Sequence, residues 1–444
     1  MSKVLSPTEV ATTLPSVATK ALCAITVPLC EVAEIRTGIA KGKAGLRAPV
    51  ELPYLRVANV QDGRIDLASI KNILVESNSI ERYALQAGDV LMTEGGDIDK
   101  LGRGAVWNGQ IEPCLHQNHV FAVRPDKRLL NSTYLAAVAS SDYGRKYFLS
   151  CAKRTTNLAS INSSQLKAFP IPLPPLPEQN RIASVLTAVD EKLDVIARQI
   201  EATQTLKQGL MQTLFSRGVG KQDANSRWIP HTEFKDSELG AIPTVWSVKE
   251  IGEVLSVVER PIKMADDQLY RRVTVKRRYG GVELRDELPG ANIKVKNQFL
   301  LEAGDFLISE RQIVHGACGI VPEHLAGALV SNEYLVLQAK EGFDVTYFNY
   351  LVQLLKYAKL FLVCSQGVDI EKFLFKPKDW LKKRIPVPPL AEQQRIAEIL
   401  GASEEKTNAL QRKQSEYQNL KRGLMQKLLT GEWRVKLDSP IGTV

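Results

Sequence analysis

The chain has 444 residues, more than one ordinary core accommodates, so two or three domains are expected. Its apolar share of 44% is that of a globular protein, and no window of eighteen uncharged apolar residues exists to cross a membrane. The net charge of +9 favours a polyanionic partner, with a merely basic surface as the plain alternative.

The N-terminus, "MSKVLSPTEVATTLPSVATK", has no charged-then-apolar design and does not read as a signal peptide. Next comes "RTGIAKGKAGLR", with Lys41, Lys43 and Arg47. "LPYLRVANVQDGRIDL" reads as strand–turn–strand around Asp-Gly, and "AGDVLMT" (87–93) as a glycine turn into a buried strand. "GGDIDKLGRGAVW" adds Lys100 and Arg103. "CLHQNH" offers Cys114, His116 and His119, but strand alternation puts only the first two on one face, so no metal site is expected. "STYLAAVASSDYGRKYFLSCA" has helical spacing with Ser132 or Thr133 as N-cap, and Lys153 and Arg154 follow. Cysteines at 23, 30, 114, 151, 318 and 364 have no Cys-x-x-Cys spacing, which suits reduced thiols in the cytoplasm.

"IPLPPLPEQNRIASVL" begins at Ile171, and "IPVPPLAEQQRIAEIL" begins at Ile385, an offset of 385 − 171 = 214. "LKQGLMQTLF" (206–215) returns at the same offset as "LKRGLMQKLL" (420–429). "AGDVLMT" is answered by "AGDFLIS" (303–309), and Asn118 by Asn332. The order of matches is the same in both halves, so the chain reads as a duplication of a domain-sized unit. Prolines hold the lead extended, because proline is excluded from a helix interior. Each lead then opens a long helix.

In the first helix the seven-residue spacing of Ile182, Val189 and Ile196, with Leu186, Leu193, Ile200, Leu210 and Leu214, marks a coiled-coil seam. In the second, Ile396, Leu400, Leu410, Tyr417, Leu424 and Leu428 fit a weaker seam that Ser403, Thr407, Gln414 and Lys421 interrupt. Packing of each helix on its own globular core is the alternative. Lys207 and Lys421 fall on equivalent seam positions, where a polar residue fixes register and orientation. Glu178 and Glu392 lie in the first turns, where a carboxylate suits the helix dipole. An antiparallel pair is the economical arrangement, giving mixed α/β globular units separated by two long antiparallel helices with a pseudo-two-fold repeat.

The second unit presents a different polar face, and residues 36–83 have no good match in 256–298. "RRVTVKRRYGGVELR" is another strand–turn–strand, carrying Arg271, Arg272, Lys276, Arg277, Arg278 and Tyr279. Arg311 and Gln312 follow in "ISERQIVHG". Basic side chains meet phosphates, while Arg and Gln can bond base edges. These residues, with Lys41, Lys43, Arg47, Lys100, Arg103, Lys153 and Arg154, are candidate DNA contacts; solvated surface charge is the alternative. No Gly-rich nucleotide loop, methyltransferase tetrapeptide or acid–base constellation appears, so the chain reads as a binder.

The doubled Pro-Pro-Leu-x-Glu-Gln phrase, the "LKQGLMQTLF" echo and "AKRTTNLASINSSQLKAFP" (152–170) resemble the specificity (S) subunit of Type I restriction–modification systems over about residues 25–435. The resemblance implies target recognition domains at 1–175 and 218–385, spacer helices at 176–217 and 386–432, and a tail at 433–444. It implies a DNA-reading, non-catalytic subunit for a bipartite, asymmetric target. Two methyltransferase (M) subunits and motor-nuclease (R) subunits would be its partners and would hold S-adenosylmethionine, ATP and Mg; this chain would hold no cofactor. Glu178, Gln179, Arg181, Glu392, Gln393 and Arg395 are candidates for docking M subunits, or for fixing the helix starts. A self-contained methyltransferase or nuclease, or a scaffold without DNA specificity, are the competing readings.

Overall fold

The structure, a computed structural model, describes residues 25–40, 49–98, 101–102, 104–154, 158–370 and 373–435. The chain forms two compact units, one of residues 1–197 with 412–444 and one of residues 198–411. The boundaries cut through both long helices, Leu176–Arg217 and Leu390–Leu429, so each unit owns the start of one helix and the end of the other.

In the first unit a four-stranded antiparallel sheet has the order Ala33–Thr37, Val120–Pro125, Val90–Thr93, Gly104–Val106. Its inner strand "VLMT" is buried at every position, as a sheet covered on both faces requires. Val90 and Met92 enter a core with Leu135, Phe148 and Phe169, while Leu91 enters another with Leu55 and Trp107. The second unit repeats the order with Leu255–Val257, Tyr334–Ala339, Phe306–Ser309 and Cys318–Ile320. There Phe306 and Ile308 face one core and Leu307 the other. In both units a glycine with positive φ precedes the inner strand, Gly88 at 99° and Gly304 at 87°.

The stretches without sequence match share a topology. Pro49–Leu55 pairs antiparallel with Lys71–Glu76 and parallel with Leu115–His116. Leu269–Val275 pairs antiparallel with Val282–Pro289 and parallel with Leu329–Ser331 at Arg272↔Leu329. The expected 52–67 hairpin is corrected: its strand ends at Leu55, a 3-10 turn spans Val57–Asn59, and only a Val60↔Ile65 bridge closes the Asp-Gly turn. The helix Ser132–Ser140 is capped by Asn131, one residue before the expected pair, its side chain accepting from Tyr134 N–H at 2.9 Å.

Each proline-rich lead is a strand. Pro170–Leu173 pairs with Ile25–Pro28, and Arg384–Val387 with Ser247–Glu250. These two-stranded edges tolerate prolines because missing N–H groups can face away from the partner.

Seam residues are buried or half-buried throughout: Ile182, Leu186, Val189, Ile196, Leu214, Ile396, Leu400, Leu424 and Leu428 are buried, and Leu193, Ile200, Leu210, Leu410 and Tyr417 half-buried. In the first unit Glu178 meets Arg434 at 2.7 Å and Asp190 meets Lys421 at 2.6 Å. In the second, Lys207 meets Glu404 at 3.2 Å, and Glu392 accepts from the N–H groups of Val219 and Gly220. Within each unit, numbers rise along one segment as they fall along its partner.

Candidate nucleic-acid interface

The structure sorts the basic residues of the 269–289 hairpin by what holds them. The Arg271 guanidinium donates to the carbonyls of His324 and Ala326 at 2.8 and 2.7 Å. Arg272 grips Asp286 with two bonds of 2.8 and 2.7 Å. That pairing holds the Asp286 carboxyl below the ordinary range. These two half-buried arginines brace the sheet. Lys276 pairs with Glu283 at 2.5 Å but both remain accessible.

Arg277 and Arg278 are exposed at the hairpin tip. Arg278 and Tyr279 adopt φ of 58° and 57°, left-handed backbone that glycine or asparagine ordinarily supplies. Their N–H groups donate to the carbonyls of His315 and Gly316 at 2.7 and 2.8 Å, which fixes the turn from outside. The Tyr279 hydroxyl donates to Val352 O at 3.3 Å, and burial pushes its pKa up to about 12. Tyr279 therefore anchors the turn. Gln312 is half-buried with Oε1 unpartnered. Lys41, Lys43, Arg47, Lys100 and Arg103 lie outside the described residues; Arg154 is placed by its backbone only, beside exposed Lys153.

Sequence reasoning missed a pair of places that correspond between the units. In the first, the Glu94 N–H donates to His119 O at 3.0 Å, and the Ile161 N–H to Glu94 O at 2.8 Å. In the second, the Glu310 N–H donates to Glu333 O at 3.0 Å, and the Phe375 N–H to Glu310 O at 3.2 Å. The side chains differ: Glu94 binds His119 Nδ1 at 2.5 Å, whereas Glu333 binds Arg311 Nε at 2.7 Å. Burial raises the Glu310 carboxyl. Glu94, Gly95, His119, Val57 and Ser160 line a cleft of about 380 Å³. Asn332 and Glu333 line one of about 500 Å³ with Arg272, Arg285 and Lys294. The signal in the sequence was the Asn118/Asn332 match immediately before these residues.

The docking candidates separate cleanly. Gln179 is fully buried; its Oε1 accepts from Asn131 N–H at 2.9 Å, and its Nε2 donates to Leu129 O and Pro174 O. Gln393 is equally buried, accepting from Asp344 N–H at 2.8 Å and donating to Gly342 O and Pro388 O. Each ties a helix start to the N-cap of a shorter helix, so neither side chain faces a partner. This corrects their reading as docking residues. Glu178 and Glu392 are buried too. Glu392 additionally binds His231 Nε2 at 3.0 Å and accepts from Trp246 Nε1 at 2.8 Å. Of the set, Arg181 and Arg395 are exposed.

Among the described residues no group of His, Cys, Asp and Glu is placed to hold a metal. Burial pushes the Cys114 thiol up to about 12 and the His116 imidazole down to about 4. His116 bonds Val120 O through Nδ1 at 2.7 Å, which partly offsets the burial that disfavours its charged form. No helix among the described residues is long and apolar enough to cross a membrane.

A family model described as "Type I restriction modification DNA specificity domain" matches twice, at residues 25–204 and 243–418. The "Putative type I restriction enzyme MjaX specificity subunit" of Methanocaldococcus jannaschii is 30% identical over 91% of this chain and 94% of its own length. The MjaVIII specificity subunit of the same organism is 25% identical over 86% of each chain. Two solved structures share the fold. One is the Type-I restriction-modification S subunit from M. genitalium, with TM-score 0.55, 15% identity and coverage of 91% and 95%. The other comes from work on complex assembly and conformational transition of the type I R-M system, with TM-score 0.51, 20% identity and coverage of 92% and 97%.

Proposed function

Since the chain belongs to the Type I restriction–modification DNA specificity family, we propose that its two units each read one half of a split, asymmetric DNA target. The observation that carries this reading is the duplication itself. Both units share a sheet order and a helix-start lock, yet carry different exposed side chains.

The long helices pair antiparallel as a pseudo-two-fold coiled coil and hold the half-sites at a fixed spacing. Supporting this, Asp190–Lys421 and Lys207–Glu404 join equivalent positions: 190 + 214 = 404 and 207 + 214 = 421. The exposed faces of the helices, with Arg181 and Arg395 near their starts, dock two methyltransferase subunits. Those partners carry S-adenosylmethionine, and motor-nuclease subunits bring ATP and Mg for restriction. The chain itself is non-catalytic and works in the cytoplasm, where the DNA is. Basic side chains, including Lys276, Arg277 and Arg278, and in sequence Lys41, Lys43, Arg47, Lys100 and Arg103, meet phosphates.

Methylation mapping of host DNA with and without the chain is the test. Loss of one split, adenine-methylated motif is expected, and an unchanged map refutes the reading. Four residues inserted between Arg198 and Gln199 add about 6 Å, close to two base-pair steps at roughly 3.4 Å. A folded, active insert that keeps the parental spacer rejects the ruler.

A further inference from the structure

If each unit reads half a target, their difference must lie in side chains displayed on equivalent backbone. The place built around Glu94 and Glu310 meets that condition. Its main-chain bonds are the same in both units, as given above, while the side-chain pairs are Glu94–His119 in one and Arg311–Glu333 in the other. All are accessible, with His119 at 56% and Arg311 at 63% side-chain exposure, so neither pair is required by a core.

The surroundings are basic. In the first unit, Lys153 pairs with Ser160, and Ser160 with Gly95. In the second, the cleft beside Glu333 is lined by Lys294 and by Arg272 and Arg285, the last two also in contact with Asp286. A carboxylate repels phosphate and weakens a surface that only tracks the backbone. It is useful there when it accepts from a base amino group, as glutamate does from cytosine N4. Glu333 engages the Nε of Arg311, and the edge of its two terminal nitrogens has no partner among the described residues. That edge matches guanine O6 and N7.

We infer that Glu94 with His119, and Arg311 with Glu333, are the specificity-determining pairs of the two half-sites, each reading a base edge in duplex DNA. Glu94 accepts from an exocyclic amino group, cytosine N4 by preference, with His119 orienting it. Arg311 donates to guanine, with Glu333 orienting it. This rests on the reading of each unit as a half-site reader.

The experiment uses the chain assembled with its methyltransferase partners and maps methylation over a plasmid library randomised across the target. E94A is expected to relax one position in one half by roughly 5- to 150-fold in discrimination, leaving the other half intact. R311A is expected to do the same in the other half only. E94M and R311M, which keep side-chain length without the acceptor or the donors, answer the same question should an alanine variant melt early. Unchanged motifs, or weakening that is equal for all sequences, overturn the inference while the reading stands. A parental complex that writes no split motif sinks the reading itself.

Discussion

Replacing Gln393 by alanine separates a structural joint from a docking contact. The parental side chain is wholly buried and makes three hydrogen bonds, to Asp344 N–H, Gly342 O and Pro388 O. At about 1 kcal/mol for each bond, with the Asp344 N–H stranded and a cavity left, the loss is about 3–5 kcal/mol. That is a large part of the roughly 5–15 kcal/mol holding an ordinary domain. For a unit of this size each kcal/mol moves Tm by about 2–4 °C, so Tm of the 198–411 unit should fall by roughly 6–20 °C. Q393E leaves no cavity but turns a carboxylate oxygen towards Gly342 O and Pro388 O, and should destabilise comparably. The assay is thermal and urea unfolding of the full chain, followed by capture of methyltransferase subunits at a temperature where the variant is folded. A Q393A protein that melts within about 2 °C of the parent but fails to bind those subunits refutes the reasoning.

Burial lowers the His116 pKa from 6.5 to about 4, so folding favours its neutral ring. Its contribution is complete above pH 6.5 and is lost as pH falls towards 4, roughly 3 kcal/mol in all. Urea titrations across that window should show H116Q flatter than the parent; parallel curves reject the assignment. Gly209 and Gly423 lie in the long helices with open space where a Cβ would sit, so G209A and G423A should each add about 0.5–1 kcal/mol, read as higher Tm. G144A should do the opposite, because its Cβ would stand 2.4 Å from Ala139 O and 2.5 Å from Val138 O, both backbone atoms. Loss of about 2 kcal/mol or more in the first unit is expected, and an unchanged melt contradicts that packing.

The helices were legible because a seven-residue apolar period is a local signal. Ile182, Leu186, Val189, Ile396 and Leu400 are all buried. The buried strands were legible from "AGDVLMT" and "AGDFLIS" for the same reason. Long-range partners were not. Nothing near Glu392 in sequence announces His231 or Trp246, 161 and 146 residues away. The 271–278 cluster looked uniform as charge. Asp286 and the carbonyls of His324 and Ala326 divide it into bracing and displayed residues. The shared hairpin topology was hidden because a strand lying at a sheet edge keeps its pairing under many polar sequences. The Glu94 place was hidden because its partners, His119 and Ile161, are brought to it only by the fold.

Every partner of Gln179 and Gln393 named above is a main-chain atom: the N–H groups of Asn131 and Asp344, and the carbonyls of Leu129, Pro174, Gly342 and Pro388. A fastening made only to backbone does not register which side chains the fastened segment carries. Side-chain drift at Leu129, Asn131, Gly342 and Asp344 therefore leaves these bonds intact, whereas Glu392 beside Gln393 depends on the His231 and Trp246 side chains. Indifference to the neighbouring side chains and fidelity at the joint then come from the same amide group.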